Sequence, residues 1–337
     1  MHHWTTYWQS TPSLNSFAEG TSRDGYNGEL KAFWDSEFAA CNDSACILDL
    51  ATGNGAIALL AAKYKQTQAL QFKIFASDAA DIKPLENAGL SMQDKKLLSC
   101  VDFFPNTRNE ALGFSNASFD LVVSQFGFEY GAPESSIIEI ERVLKPGGRA
   151  VLLVHHVDSS IVQDSKGGIQ VLNMSLHESP VFIQAELCLE LLRQASTLNS
   201  KALYNLYQAS TSTLKWVMQQ LKTLNSNALS QAWVDDVLSR VAQVMANPGQ
   251  ASTEAQLQSL RAHYAQLTEH LARISDQINA AYDEKRSQQL RSFAQQSALQ
   301  IEISPFHLAN VGNEPEIRNC ENNFAMLIQL RKPALKA

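Results

Sequence analysis

The stretch Ile47-Leu48-Asp49-Leu50-Ala51-Thr52-Gly53-Asn54-Gly55-Ala56-Ile57-Ala58 joins an apolar run, an acid, a glycine turn and a helical apolar pattern. A second apolar run, Phe72 to Ala76, ends at Asp78. That pairing is how a parallel α/β sheet holds a nucleoside. The glycines let the backbone approach the ligand closely, and the second acid can bind both ribose hydroxyls. Taken alone, Gly53-x-Gly55-x-x-Ala58 suits a dinucleotide as well as S-adenosylmethionine (SAM).

Positioning these residues requires alternating strands and helices. Between 46 and about 156 the candidate strands are Cys46–Ala51, Phe72–Asp78, Leu97–Val101, Phe119–Ser124 and Arg149–His155, with helices that include Ala56–Tyr64 and Ser135–Leu144. Such alternation implies βαβ units and a parallel sheet. Residues 1–45 read as a partly helical arm rich in aromatics, including Trp4, Tyr7, Trp8, Phe17, Tyr26, Phe33 and Trp34. From 166 to 298 almost only helical patterns occur, with breaks that include Asn247-Pro248-Gly249. The last of these helices carries Leu257, Leu260, Tyr264, Leu267, Leu271, Ile274 and Ile278 at heptad-like spacing. That stripe reads as the seam of an antiparallel bundle, with homodimerisation as the alternative. Two late strands, Leu299–Pro305 and Phe324–Leu330, flank a polar stretch with Gly312 and Pro315 and would complete the sheet.

Further residues narrow the nucleoside. Val101-Asp102-Phe103 follows the third candidate strand, where an acid can accept the adenine amino group. Leu112-Gly113-Phe114-Ser115-Asn116-Ala117-Ser118-Phe119-Asp120-Leu121-Val122-Val123-Ser124 comes next, then Glu141-Arg142-Val143-Leu144-Lys145-Pro146-Gly147-Gly148-Arg149. This ordered set resembles class I SAM-dependent methyltransferases, in particular the type 11, UbiE-like branch. The resemblance covers about 45–156 plus the final strands, and Arg142 to Gly148 is its most specific element. One departure is the pair Ala51-Thr52, where the family more often has cysteine or glycine.

The resemblance implies a Rossmann-like α/β fold: a seven-stranded, mostly parallel sheet with an antiparallel last strand, plus an inserted all-helical subdomain. The core would be 46–165 and 299–337, and the insertion 166–298. It implies SAM as cofactor and S-adenosylhomocysteine as product. Asp49, Ala51, Gly53, Asn54 and Gly55 would lie beside the methionine part, with Asp49 near its amino group. Asp78 and Ala79 would hold the ribose, Asp102 and Phe103 would frame the adenine, and Ser124, Gln125 and Phe126 would line the methyl-donor side.

Methyl transfer from a sulfonium needs mainly alignment and exclusion of water. A base is needed only for an alcohol, a phenol or a protonated amine. In an open α/β sheet reactive groups gather outside the carboxyl ends of the strands. The candidates there are Glu129 and Tyr130, then His155 and His156. One of the two histidines would titrate near neutral pH if it acts in catalysis; the alternative is a hydrogen-bonded structural histidine. Glu129 reads first as a solvated acid at a helix start and second as a base. His177 and Glu178 open the helical insertion and are weaker candidates. Trp4, Tyr7, Trp8 and Tyr26 would form an aromatic lid over an apolar or cationic acceptor, or else pack on the core.

Composition bounds the partners. The 337 residues carry a net charge of −7, which argues against a dominant nucleic-acid footprint. Ser124-Gln125-Phe126-Gly127 also replaces the Asn/Asp-Pro-Pro-Tyr of base methyltransferases. No apolar run is long enough to span a membrane, and Met1-His2-His3-Trp4 lacks a secretion-signal layout, so a cytoplasmic protein is expected. The five cysteines, Cys41, Cys46, Cys100, Cys188 and Cys320, include no Cys-x-x-Cys, so neither a disulfide framework nor a metal site is expected. The function expected is methyl transfer to a small-molecule acceptor by direct displacement. The alternatives are a protein or RNA methyltransferase docking through the helices, and a SAM-binding regulator without turnover.

Overall fold

The computed structural model describes residues 2–15, 26–246, 252–308 and 323–334. Phe17, the break at Asn247-Pro248-Gly249, Gly312, Pro315 and Cys320 lie outside these residues. The chain divides into two compact units, Met1–Val162 with Ala280–Ala337, and Gln163–Asn279.

The first unit is built on one seven-stranded sheet. Its strands are β1 (Cys46–Leu50), β2 (Lys73–Ser77), β3 (Val101–Phe104), β4 (Phe119–Gln125), β5 (Leu144–Val154), β6 (Gln300–His307) and β7 (Asn323–Arg331), in the order β3-β2-β1-β4-β5-β7-β6. The β1–β5 pairings are parallel. β7 runs antiparallel to both β5 and β6. The order reverses between β1 and β4, which opens a crevice at the carboxyl ends of these two strands.

Period-two alternation sends each strand's side chains into two cores. Ile47, Leu121, Val123, Val151 and Leu153 join Trp34 and Phe38 of α2 (Gly28–Ala39) and the apolar face of α3 (Ala56–Gln68). Leu48, Leu50, Val122, Leu152 and Val154 join Ile137 and Ile140 of α5 (Pro133–Val143) and Leu290 of α11 (Glu284–Gln296). Both faces are buried, so the strands read as continuous apolar runs.

Two boundaries differ from those expected. Leu97 and Leu98 end a helix, α4 (Met92–Leu98), instead of opening the third strand. Ser91 caps that helix by accepting the Asp94 N–H at 3.1 Å. β3 therefore starts four residues later, and Asp102 lies inside it, opposite Phe75 of β2, with its side chain exposed. At the other boundary, residues 280–298 sit in the sheet-containing unit, because α11 packs on α5 and β6.

The second unit contains only helices among its described residues. It comprises most of α6 (Ser160–Asn173), a π-helical turn at Met174–Glu178, α7 (Val181–Thr197), α8 (Lys201–Leu224), α9 (Ala228–Met245) and α10 (Thr253–Ala280). Ser252 caps α10 by accepting the Ala255 N–H. Leu257, Leu260, Leu267 and Ile274 of the stripe are buried in this unit's own core, and Tyr264 stays partly exposed. Among the described residues no helix is long and apolar enough to cross a membrane, and Cys41, Cys46, Cys100 and Cys188 are free thiols.

The signature after β4 works as a clamp. Arg142 donates to both oxygens of Glu139, to the carbonyls of Leu112 and Phe114, and to Asn116 Oδ1. Glu139 in turn accepts the Leu112 N–H at 2.7 Å. Charge-assisted bonds of this kind contribute about 1.5–3 kcal/mol each when intact. Arg142→Ala is expected to lower unfolding free energy by about 2–3 kcal/mol, measured by urea denaturation.

Candidate functional site

The loops after β1, β2, β4 and β5 meet at one edge of the sheet. After β1 the chain turns through Ala51 and Gly53, both left-handed at φ 53° and 55°. Ala51 holds this conformation without being glycine. Gly55, at φ 88°, caps α3. Gly53 needs its missing side chain for a second reason: a Cβ there would lie 2.5 Å from the Trp8 indole. Gly55 has Phe103 in the same relation at 3.3 Å.

Two carboxyl groups are buried beside this turn. Asp49 accepts the Thr52 hydroxyl at 2.6 Å and the Ala58 N–H at 3.2 Å, tying β1 to the first turn of α3. Asp78 accepts the N–H groups of Gly53 and Ala80, each at 2.8 Å. Desolvation raises Asp49 to about 7 and Asp78 to about 6, outweighing these hydrogen bonds. Nearby, Asn54 Oδ1 and the Ser77 hydroxyl are buried without a hydrogen-bond partner. Ala79 follows Asp78, half-buried. Close glycine backbone, two buried acids and two orphaned polar atoms suit a polar, nucleoside-bearing cofactor.

After β4 the turn is fixed from below. Ser124 donates its hydroxyl to the Leu50 carbonyl at 2.9 Å and accepts the Phe128 N–H. Gln125 accepts the Trp34 indole N–H at 2.7 Å. Phe126, at φ 56°, stacks on His155 at 4.2 Å with an interplanar angle of 5°. Glu129 sits in a short 3-10 turn, Phe128–Tyr130, and its side chain is fully buried. It accepts the His155 backbone N–H at 2.9 Å. Burial raises it to about 7, against the lowering effects of that bond and of Arg286. It is therefore not the solvated helix-start acid expected from sequence, because the turn directs it under β5.

His155 is also buried, and desolvation pushes it down to about 3. It is neutral at physiological pH and does not titrate there, so its 3.9 Å approach to Glu129 is not an ion pair. His156 is half-buried, accepts the Asp158 N–H and pairs with Tyr282 in a short parallel bridge. Tyr282 was not legible as a site residue. It donates its N–H to the His155 carbonyl at 2.7 Å and accepts from Val157. Its ring lies under the Arg286 guanidinium at 4.8 Å.

Helix α1 (His2–Ser10) crosses this edge. Gln9 donates to Asp81, Asp81 donates its N–H to Thr5, and Asn54 and Asn87 donate to the Ser13 carbonyl. Trp8 covers Gly53, and Trp4 stacks edge-on to Tyr130 at 5.4 Å. Tyr7 packs against both tryptophans. Tyr26 instead joins the core with Leu30 and Trp34, where burial and the Asp49 carboxyl push its phenol pKa upward. The structure thus brings together Asp49, Gly53, Asn54, Gly55, Asp78, Phe103, Gln125, Phe126, Glu129, Tyr130 and His155 at one edge, with Trp4 and Trp8 over them. Asp102 stands apart, and His177 and Glu178 belong to the helical unit.

Residues 48–152 match the family described as "Methyltransferase domain". Over 128 residues the chain is 34% identical to the ubiquinone/menaquinone biosynthesis C-methyltransferase UbiE of Rickettsia prowazekii (strain Madrid E), covering 37% of this chain and 50% of that protein. The chain spans about half the length of that curated relative. Among solved structures, it is similar to a chain from the complex between the Haloferax volcanii Trm112 methyltransferase activator and a methyltransferase. That likeness has 13% identity and a TM-score of 0.42, covering 92% of each chain. It is also similar to the YcgJ protein of Bacillus subtilis, with 17% identity and a TM-score of 0.35, covering 91% of this chain and 100% of the other.

The burial of Glu129 has a measurable signature. A carboxyl raised in the folded state costs stability as pH rises from its unfolded value, about 4.3, through its folded value. Glu129→Gln is therefore expected to match wild type near pH 4 and to exceed it by up to about 3 kcal/mol near pH 8. Denaturant unfolding of both proteins across this range provides the check.

Proposed function

We propose, from the class I SAM-dependent methyltransferase domain of the type 11 branch that residues 48–152 form, that this chain methylates a small-molecule acceptor. The observation that carries the reading is the enclosure of one edge. The same helix, α1, covers the glycine turn with Trp8 and the Tyr130–His155 pair with Trp4. An edge covered this way suits a small acceptor shielded from water.

SAM supplies a methyl group made electrophilic by its sulfonium. The protein's residues bind, orient and dehydrate. Asp78 takes the ribose hydroxyls, and Asp49 takes the ammonium of the methionine part. Phe103 borders the adenine. Asp102, exposed within β3, is left out of this site. Asn54 and Ser77 offer their orphaned oxygens to the same ligand. Gln125, Phe126 and His155 lie toward the acceptor. Positioning of this kind supplies much of the rate, because near-attack geometry replaces a bimolecular encounter.

Calorimetry with SAM, S-adenosylhomocysteine and NAD tests the reading. The first two are expected to bind and NAD is not; binding of NAD alone would overturn it. Asp78→Ala is expected to lose most SAM affinity. Wild-type affinity is expected to fall as pH drops from 7.5 to 5.5, since Asp49 (about 7) and Asp78 (about 6) lose their charge over that range. Gly53→Ala places a methyl group against Trp8 at a left-handed φ and is expected to weaken SAM binding at least roughly tenfold.

A further inference from the structure

The glycine turn after β1 is covered by one of the chain's own aromatic rings. A Cβ on Gly53 would lie 2.5–2.7 Å from three ring atoms of Trp8. The space left by the missing side chain is therefore filled by the indole. Glycine at such a turn lets a ligand approach the backbone closely, and here the indole makes that approach. The covered spot adjoins both acids assigned to SAM. The Gly53 N–H is bound to Asp78 at 2.8 Å, and Thr52 donates its hydroxyl to Asp49 at 2.6 Å.

Trp8 belongs to the surface and not to the core. It is half-buried. Tyr7 meets it edge-on at 4.9 Å, and Trp4 stacks on it at 6.2 Å with an interplanar angle of 24°. The next residue, Gln9, is exposed and fastens the end of α1 by donating to the Asp81 carbonyl at 2.7 Å. The segment after the helix is anchored more deeply. The Ser13 carbonyl accepts from Asn54 and Asn87, and Leu14 lies in the core. A helix of nine residues is marginal in water by itself, so α1 keeps its shape through its contacts. A half-buried ring on such a helix can leave Gly53 while residues 13–15 stay in place.

We propose that Trp8 is a gate on the cofactor site: the indole and SAM compete for the same place beside Gly53, and SAM seats only when the indole leaves. This rests on the methyltransferase reading above and adds a regulation of its site. A lid that closed over the cofactor would hold its ring one ligand thickness from the turn, roughly 7 Å for two contacts of about 3.5 Å each. The Trp8 ring touches the turn itself. Competition of this kind lowers the apparent affinity to the fraction of molecules whose gate is open. After product leaves, return of the indole covers Gly53 again. Trp4, one helical turn earlier, meets Tyr130 at 5.4 Å and covers the acceptor side independently of Trp8.

Calorimetry with S-adenosylhomocysteine on the full chain tests the gate. Trp8→Ala opens it permanently and is expected to bind about tenfold more tightly than wild type. The loss of a protecting contact would act in the opposite direction. A second measurement uses the wild-type side chain. In protein labelled with fluorotryptophan, the Trp8 fluorine resonance is identified by its loss in Trp8→Phe. Addition of S-adenosylhomocysteine is expected to expose the Trp8 ring, seen as a larger shift difference between H2O and D2O. Unchanged or weaker binding by Trp8→Ala, or a Trp8 ring that becomes less exposed on binding, would each overturn the proposal. Absence of S-adenosylhomocysteine binding by both wild type and Trp8→Ala would instead overturn the methyltransferase reading.

Discussion

Three carboxyl groups buried along one edge of the sheet constrain the rest of this unit. Asp49, Asp78 and Glu129 each lose their water, and each is held by backbone N–H groups: Ala58 for the first, Gly53 and Ala80 for the second, His155 for the third. Those donors come from segments that follow different strands: β1 for Ala58 and Gly53, β2 for Ala80 and β5 for His155. The loops must therefore keep their relative positions or leave a buried acid unpaired, which costs more than any single hydrogen bond returns. The left-handed turn at Ala51 and Gly53 and the hydroxyl bridge from Ser124 to Leu50 follow from that requirement.

Two kinds of residue divide the domain's recognisable motifs. Arg142, Lys145 and Asp120 act mechanically. Lys145 and the Cys46 N–H both meet Asp120 Oδ2, at 2.6 and 2.8 Å, at the amino end of β4. Arg142 holds the loop that leads into that strand. None of them reaches the carboxyl edge. The segment that most resembles a methyltransferase family thus reports that the sheet is assembled. Glu129, His155 and Tyr282, linked through backbone N–H groups at the carboxyl edge, fall in segments that the resemblance leaves open.

The sheet and the glycine turn after β1 were largely legible in the sequence, for physical reasons. Strands buried on both faces leave unbroken apolar runs, and a turn at Gly53 and Gly55 needs residues that tolerate positive φ. The third strand was misplaced because Leu97 and Leu98 are apolar in a helix as in a strand. Ser91 followed by Asp94 was the available sign that a helix begins there. The burial of Glu129 left no mark, since a glycine-flanked acid looks the same whether its turn points outward or under a neighbouring strand. Tyr282 was hidden for a related reason. It sits between two helical patterns, far in sequence from the His155 carbonyl that accepts its N–H.

The position of β7 between β5 and β6 has a consequence in time. β5 pairs with β7 from Arg149–Arg331 to Val154–Met326, so its outer edge has no partner until β7 has been made. All of Gln163–Asn279 is synthesised in between. At roughly 5–20 residues per second, that edge stays bare for on the order of ten seconds on the ribosome. An unpaired apolar edge strand is a template for wrong partners. The yield of native protein in a cell therefore depends on how well β5 is shielded during that interval, and slower synthesis lengthens the exposure.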